Sequence, residues 1–180
     1  MNDTTYPTTN IPVGNGYLFY FRGGPTTVNP FVSGSLAQSA VLASTGTLNQ
    51  GNIIFSDWYS PSTTNVGYTA ASANASIEGM NLAGNPYPST IDWNTWSSTN
   101  SNAGIYGPGL SGEISLLNPG SQAGAGNYTY YIPGVGSNMS GYTGLIPSGV
   151  GFFVQAASAG ATLKFTENDK VTSQPSGAGL

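Results

Sequence analysis

The sequence predicts an all-β domain: an antiparallel β-sandwich, jelly-roll-like, with long Gly/Ser/Asn-rich loops and little helix. Three observations carry that expectation. No stretch places apolar residues at i, i+3, i+4 and i+7 without Gly or Pro among them. The 180 residues include 26 Gly and 12 Pro, two residue types that oppose helix interiors. Short runs of β-branched and aromatic residues recur between clusters of Gly, Pro, Asn and Ser, the pattern of many short strands joined by turns.

In chain order, residues 1–12 read as an N-terminal linker or arm, 13–172 as the sandwich domain and 173–180 as a C-terminal linker. The first expected strand is Gly16–Phe21. Tyr17, Phe19 and Phe21 fall on one face and Leu18 and Tyr20 on the other, which predicts a central strand covered on both sides. Ser35–Ser44, Ala-rich and free of Gly and Pro, is the best candidate for a short helix. Further strands are expected at Thr45–Leu48, Asn52–Phe55, Val66–Ala70, Ala75–Ile77, Met80–Ala83, Gly112–Leu116, Tyr128–Ile132, Val150–Gln155 and Thr162–Thr166. Asn85–Gly104, which carries Trp93 and Trp96, and Pro133–Ser148 read as long loops.

Charge restricts the function classes. Only 6% of residues are Asp, Glu, Lys or Arg, against about 25% in an ordinary domain. Arg22, Lys164 and Lys170 are the only cations, and the net charge is −4. Nucleic acid is excluded as a partner, because phosphate binding needs clustered Lys and Arg. An anionic membrane surface is disfavoured for the same reason. No apolar run approaches the ~20 residues of a membrane span, so no membrane insertion is expected. Solubility rests instead on Ser, Thr, Asn and Gly, a surface suited to extracellular proteins that face sugars, solids or copies of themselves. No signal peptide is visible, so a secreted form is expected to be a mature or excised piece.

Catalysis has few groups to draw on. The chain has no His and no Cys, which removes the commonest general base, the thiol nucleophile and every disulfide. A carboxylate pair of the kind glycosidases use remains, to be drawn from Asp57, Glu78, Asp92 and Glu113. Asp3, Glu167 and Asp169, near the ends or in turn-like sequence, are expected to be solvated. No cofactor is expected. Calcium is the metal the side chains suit best, with Asp57, Asp92 and Glu113 as candidate ligands beside neighbouring Asn amides.

Carbohydrate binding has a physical basis in rings that stack on sugar faces while Asn, Ser and Thr bond the hydroxyls. The candidate rings are Trp58, Tyr59, Trp93, Trp96 and Tyr106, with Tyr130 and Tyr142 as further members. The competing reading makes Trp93 and Trp96 core anchors. Self-assembly has a different basis, since neutral β domains with unpaired edges invite strand addition.

One block reads as a turn in its own right. Pro86 and Pro88 fix φ and push Asn85 and Tyr87 into extended conformations. Gly84-Asn85 suits a positive-φ turn, Tyr87 packs back on the sheet, and Ile91 and Trp93 anchor the returning chain. A structural brace is the favoured reading of Gly84, Asn85, Pro86, Tyr87 and Pro88 over a binding loop. The cis or trans state of the two prolines is left open.

The segment Gly79-Met80-Asn81-Leu82-Ala83-Gly84-Asn85-Pro86-Tyr87-Pro88-Ser89-Thr90-Ile91-Asp92-Trp93 resembles a signature of large secreted and cell-surface proteins of Bacteroidetes-type bacteria. In that family the signature belongs to a β-sandwich module lying just upstream of a type IX secretion sorting domain. Gly16–Gly23, Gly46–Gly51 and Ile146–Ala156 agree with it in order and spacing, so the resemblance covers about residues 14–169. Met80 stands where the family often has Trp, and Val150 where Gln is common. The resemblance implies a sandwich module and an extracellular or cell-surface location. It brings no reaction and no catalytic residues. Asp3-Thr4-Thr5 resembles the short acceptor pattern for O-glycans in such bacteria, with Thr4 as the acceptor.

The expectation is therefore a non-catalytic extracellular structural or adhesive module that assembles with itself, as a fibre or surface layer, or with neighbouring domains of a longer surface protein. A carbohydrate-binding module with glycans as partners is the alternative, and a glycosidase the weaker one.

Overall fold

The computed structural model describes residues 11–18, 45–57, 66–68, 78–118 and 127–175. Among these residues the chain forms β1 (Ile53–Ile54), β2 (Met80–Gly84), β3 (Thr90–Asp92), β4 (Trp96–Ser97), β5 (Ile105–Tyr106), β6 (Leu110–Asn118), β7 (Asn127–Ile132), β8 (Gly136–Ser137), β9 (Leu145–Ile146), β10 (Gly151–Ala156), β11 (Lys164–Phe165) and β12 (Lys170–Val171). Two short 3-10 turns, Trp93–Thr95 and Glu167–Asp169, are its helical elements. The expected all-β sandwich is what the chain adopts.

The largest sheet has the order β2-β10-β6-β7-β8. A four-stranded sheet, β1-β11-β5-β4, and a three-stranded one, β12-β3-β9, complete the fold. Pairing is antiparallel except between β4 and β5, which run parallel.

Alternation builds the large sheet. In β6, Leu110, Gly112, Ile114 and Leu116 turn inward, while Ser111, Glu113, Ser115 and Leu117 turn outward. In β10, Phe152, Val154 and Ala156 turn inward beside them. The inner face meets the smaller sheets through aromatic edges. Phe152 contacts Trp93 (ring centroids 5.6 Å apart) and Phe165 (6.4 Å), both edge-to-face, the arrangement ring quadrupoles favour. Ile91, Ile105, Ile146 and Leu163 fill the space around these rings.

A bulge interrupts the β6–β10 ladder. Val154 pairs with Ile114 and Ala156 with Leu110, so β6 carries extra residues around Gly112, whose φ is +82°. Only glycine adopts that φ readily, and a Cβ there would also meet the Trp96 ring at 2.8 Å.

Several strand expectations need correction. The described part of Gly16–Phe21 is not a covered central strand, since Tyr17 and Leu18 are 65% and 67% exposed. Backbone closeness decides the placement. Gly16 N–H donates to Leu82 O (2.9 Å), Gly84 N–H donates to Gly14 O (2.8 Å), and a Cβ on Gly16 would lie 2.6 Å from Ala83 O. The chain thus lines the outer edge of β2 through a single bridge, Asn15 to Ala83, after which Tyr17 and Leu18 are exposed. Thr45–Leu48 is exposed and outside every strand. Val66–Tyr68 is held by Val66 N–H donating to Ala161 O (2.7 Å) and by the Asn81 amide, which bonds both Gly67 N–H and Gly67 O. The two expected long loops carry β3, β4, β8 and β9. The helix expected at Ser35–Ser44, the strand at Ala75–Ile77 and residues 19–21 lie outside the described residues.

Among the described residues no helix is long and apolar enough to cross a membrane.

Candidate functional site

The Asn-Pro-Tyr-Pro block is a brace. Asn85 is buried, and its amide nitrogen donates to Ser89 O (2.8 Å) and Ile146 O (2.9 Å) while its oxygen accepts from Tyr87 N–H (2.9 Å). One side chain thus supplies three bonds that short strands cannot make for themselves. Tyr87 is buried with its hydroxyl donating to Gly51 O (2.6 Å), Asn49 donates to Pro86 O (2.8 Å), and Ser148 donates to Tyr87 O (3.0 Å). Burial holds the Tyr87 phenol well above its ordinary pKa, and the carboxylates of Asp169 and Glu167 add to that. The peptide bonds of the described residues are all trans. Gly84 does not take the positive φ expected of it. It is an extended residue of β2, and its lack of a side chain admits Asn15 O, 3.1 Å from where a Cβ would stand.

The candidate sugar-binding rings do not form one platform. Trp93 is fully buried, and its Nε1 donates to Gly112 O (2.9 Å) at the β6 bulge, so neither ring face is open to a ligand. Trp96 packs on the core rim over Gly107 and Gly112. Parallel pairing sets Trp96 opposite Ile105 and Ser97 opposite Tyr106, so Trp96 points inward and Tyr106 outward. Tyr106 stands under the Lys164 ammonium, 5.4 Å from its ring centroid. Tyr142 is buried edge-on against Tyr131 (5.7 Å) and donates to Leu145 O (3.2 Å). Burial first, then Tyr131 and Asp92, hold its phenol above the ordinary pKa. Trp58, Tyr59 and Thr4 lie outside the described residues.

The candidate calcium ligands are likewise apart. Asp57 follows β1 beside Gly67 and Asn81. Asp92 caps the first 3-10 turn, accepting from Asn94 N–H (2.9 Å) and from the Asn94 amide (2.8 Å). Glu113 lies on the outward face of β6. Among the described residues no three His, Cys, Asp or Glu side chains gather to hold a metal. Glu78 is half-buried, its backbone carbonyl accepting from the Gln155 amide (3.1 Å). Asp169, expected in solvent, is fully buried.

What the fold does present is the outer face of the large sheet. Register aligns Leu82, Phe153, Ser115 and Tyr130 in one row across β2, β10, β6 and β7. The next row pairs Leu117 with Tyr128. Tyr128 and Tyr130 are 46% and 42% exposed, and Tyr128 meets Phe153 edge-on at 5.7 Å. Glu113 is the one formal charge on the outward positions of β6, β7 and β10. Beyond β2 a groove of about 580 Å³ opens between apolar Tyr17, Leu18, Met80 and Phe153 and polar Asp57 and Asn81. Tyr130 of this segment is among the expected rings, whereas Tyr128, two residues before it on the same face, is not, although the alternation of Asn127–Ile132 puts both outward.

Part of each border of this sheet is already engaged. Gly14–Gly16 covers β2. At the other side the Asn138 oxygen accepts from Tyr130 N–H (2.9 Å) and its nitrogen donates to Tyr128 O (3.3 Å), so an amide side chain stands where a further strand would pair. Comparison with protein-family models, with curated proteins and with solved structures finds no match for this chain.

Proposed function

We propose that this chain is a non-catalytic extracellular structural or adhesive module that meets its partner through the outer face of the large sheet. The observation that supports it is the paired exposure of Tyr128 and Tyr130 on a face with a single formal charge. Gly14–Gly16 along β2 and Asn138 along β7 occupy part of the sheet's borders, which favours the face as the contact surface. The absence of His and Cys from the sequence supports a role without chemistry. The resemblance of residues 79–93 to surface proteins supports the location.

Tyr128→Ser with Tyr130→Ser tests the reading, since both side chains are exposed and their loss leaves the core intact. Self-association by sedimentation velocity and retention on bacterial surface material are measured for both proteins. Wild-type binding that the double variant loses supports the proposal. A wild type that neither self-associates nor binds, or a variant that binds equally well, overturns it.

Carbohydrate binding is the second reading, favoured by two exposed tyrosines on one face, Tyr130 opposite Ser115. A glycan array read with the same variant separates it from protein adhesion.

A further inference from the structure

Asp169 is a buried acid without a well-formed hydrogen bond. Its side chain is 0% exposed, and neither carboxyl oxygen has a hydrogen-bond partner. It ends the second 3-10 turn, whose first residue, Glu167, pairs with Lys170 and also accepts from Gly51 N–H. The Lys170 ammonium sits 4.2 Å from the centroid of the Tyr87 ring, and Tyr87 in turn donates to Gly51 O. Gly51, at the approach to β1, is therefore tied to this corner from two sides.

The ionisable groups facing Asp169 are Glu167 and Lys170 from its own segment and Tyr87 from the brace. The first 3-10 turn, packed against it across Gly104, has no ionisable side chain, and its cap Asp92 is turned to Asn94. Lys164 and Tyr106, on the neighbouring strands β11 and β5, face each other.

We propose that Asp169 is a proton-operated latch that holds the Gly51 segment to the second 3-10 turn. Protonated, the acid sits buried as a neutral group. When its proton passes to solvent, an ionised carboxylate is left buried with only Lys170 and the nearby amides of Thr166 and Asp169 to offset its desolvation, which favours states in which the turn swings it into water. That motion breaks the Glu167–Gly51 bond.

Burial pushes the Asp169 pKa up to about 7, against the pull of Lys170 and the nearby backbone amides of Thr166 and Asp169. The folded value lies above the unfolded one. The closed form therefore has its full advantage below the ordinary carboxylate pKa and loses it as pH rises to about 7. Between pH 5 and 7 the opening equilibrium grows on the order of fifty-fold.

Amide hydrogen exchange on the whole chain tests this, with rates corrected for intrinsic pH dependence. Gly51 and Asp169 N–H are expected to lose protection by tens-fold from pH 5 to 7, while β6 and β10 keep theirs. Asp169→Asn is expected to abolish the change. Unchanged wild-type protection, or a variant that keeps the pH dependence, overturns the latch. Should that variant not fold, the carboxyl carbon of Asp169 is titrated by NMR in the wild type. A midpoint near 7 supports the proposal and one below 5 overturns it.

Discussion

Asn85 offers a test of whether the Asn-Pro-Tyr-Pro block braces the fold. Asn85→Ala removes the bonds to Ser89 O, Ile146 O and Tyr87 N–H, three interactions in a buried setting. At about 1 kcal/mol each the loss is roughly 3 kcal/mol. For a domain of this size that lowers Tm by roughly 6–12 °C. Asn85→Asp is the sharper perturbation. It keeps an acceptor for Tyr87 N–H but turns the amide donor into a carboxylate oxygen facing two carbonyls. At pH 7 it is expected to be less stable than the alanine variant, because a buried charge then lacks a donor. Its folded pKa is raised, so the penalty is absent below the ordinary carboxylate value and grows as pH rises through the folded one. Urea unfolding followed by tryptophan fluorescence at pH 4.5 and 7 measures both. An aspartate variant within about 1 kcal/mol of wild type at pH 7 would refute the brace.

Three further outcomes are expected. Gly112→Ala, with φ of +82° and the Trp96 ring at 2.8 Å, costs roughly 2–3 kcal/mol in chemical denaturation. Trp93→Phe loses the Gly112 O bond and part of the ring volume, and calorimetry should show a loss of roughly 2–4 kcal/mol; a neutral result would mean that Trp93 does not anchor the core. Asn138→Ala costs at most about 1 kcal/mol, because its bonds are exposed, but it opens the β7 edge; light scattering should then show concentration-dependent oligomers that wild type does not form through that edge.

The sequence announces those parts of the fold that repeat with period two over five or more residues. β6, β7 and β10 are long enough to alternate, and strands are expected at each of them. β3, β4, β5, β9 and β12 are two or three residues long, too short to show any period, and their pairing follows from where the brace and the 3-10 turns deliver them. Gly16–Phe21 misled because its alternation is real but its placement is set by the glycines before it. Trp93 had two readings open, and the carbonyl at the β6 bulge decides for the core. Asp169 looked solvated because it stands near the chain end in turn-like sequence. Its burial comes from packing against residues some 75 positions away, around the first turn, which no local pattern reveals.

Asparagine side chains do the work of missing strands in three places, at Asn81, Asn85 and Asn138, each offering a donor and an acceptor at once. That chemistry ages. Spontaneous deamidation converts the donor into a second acceptor, so each such clip carries its own clock. Asn85 is shielded from water, whereas Asn138 stands in it. Old molecules would therefore uncover the β7 border before the interior loosens, and a long-lived population would grow stickier with time while keeping its fold.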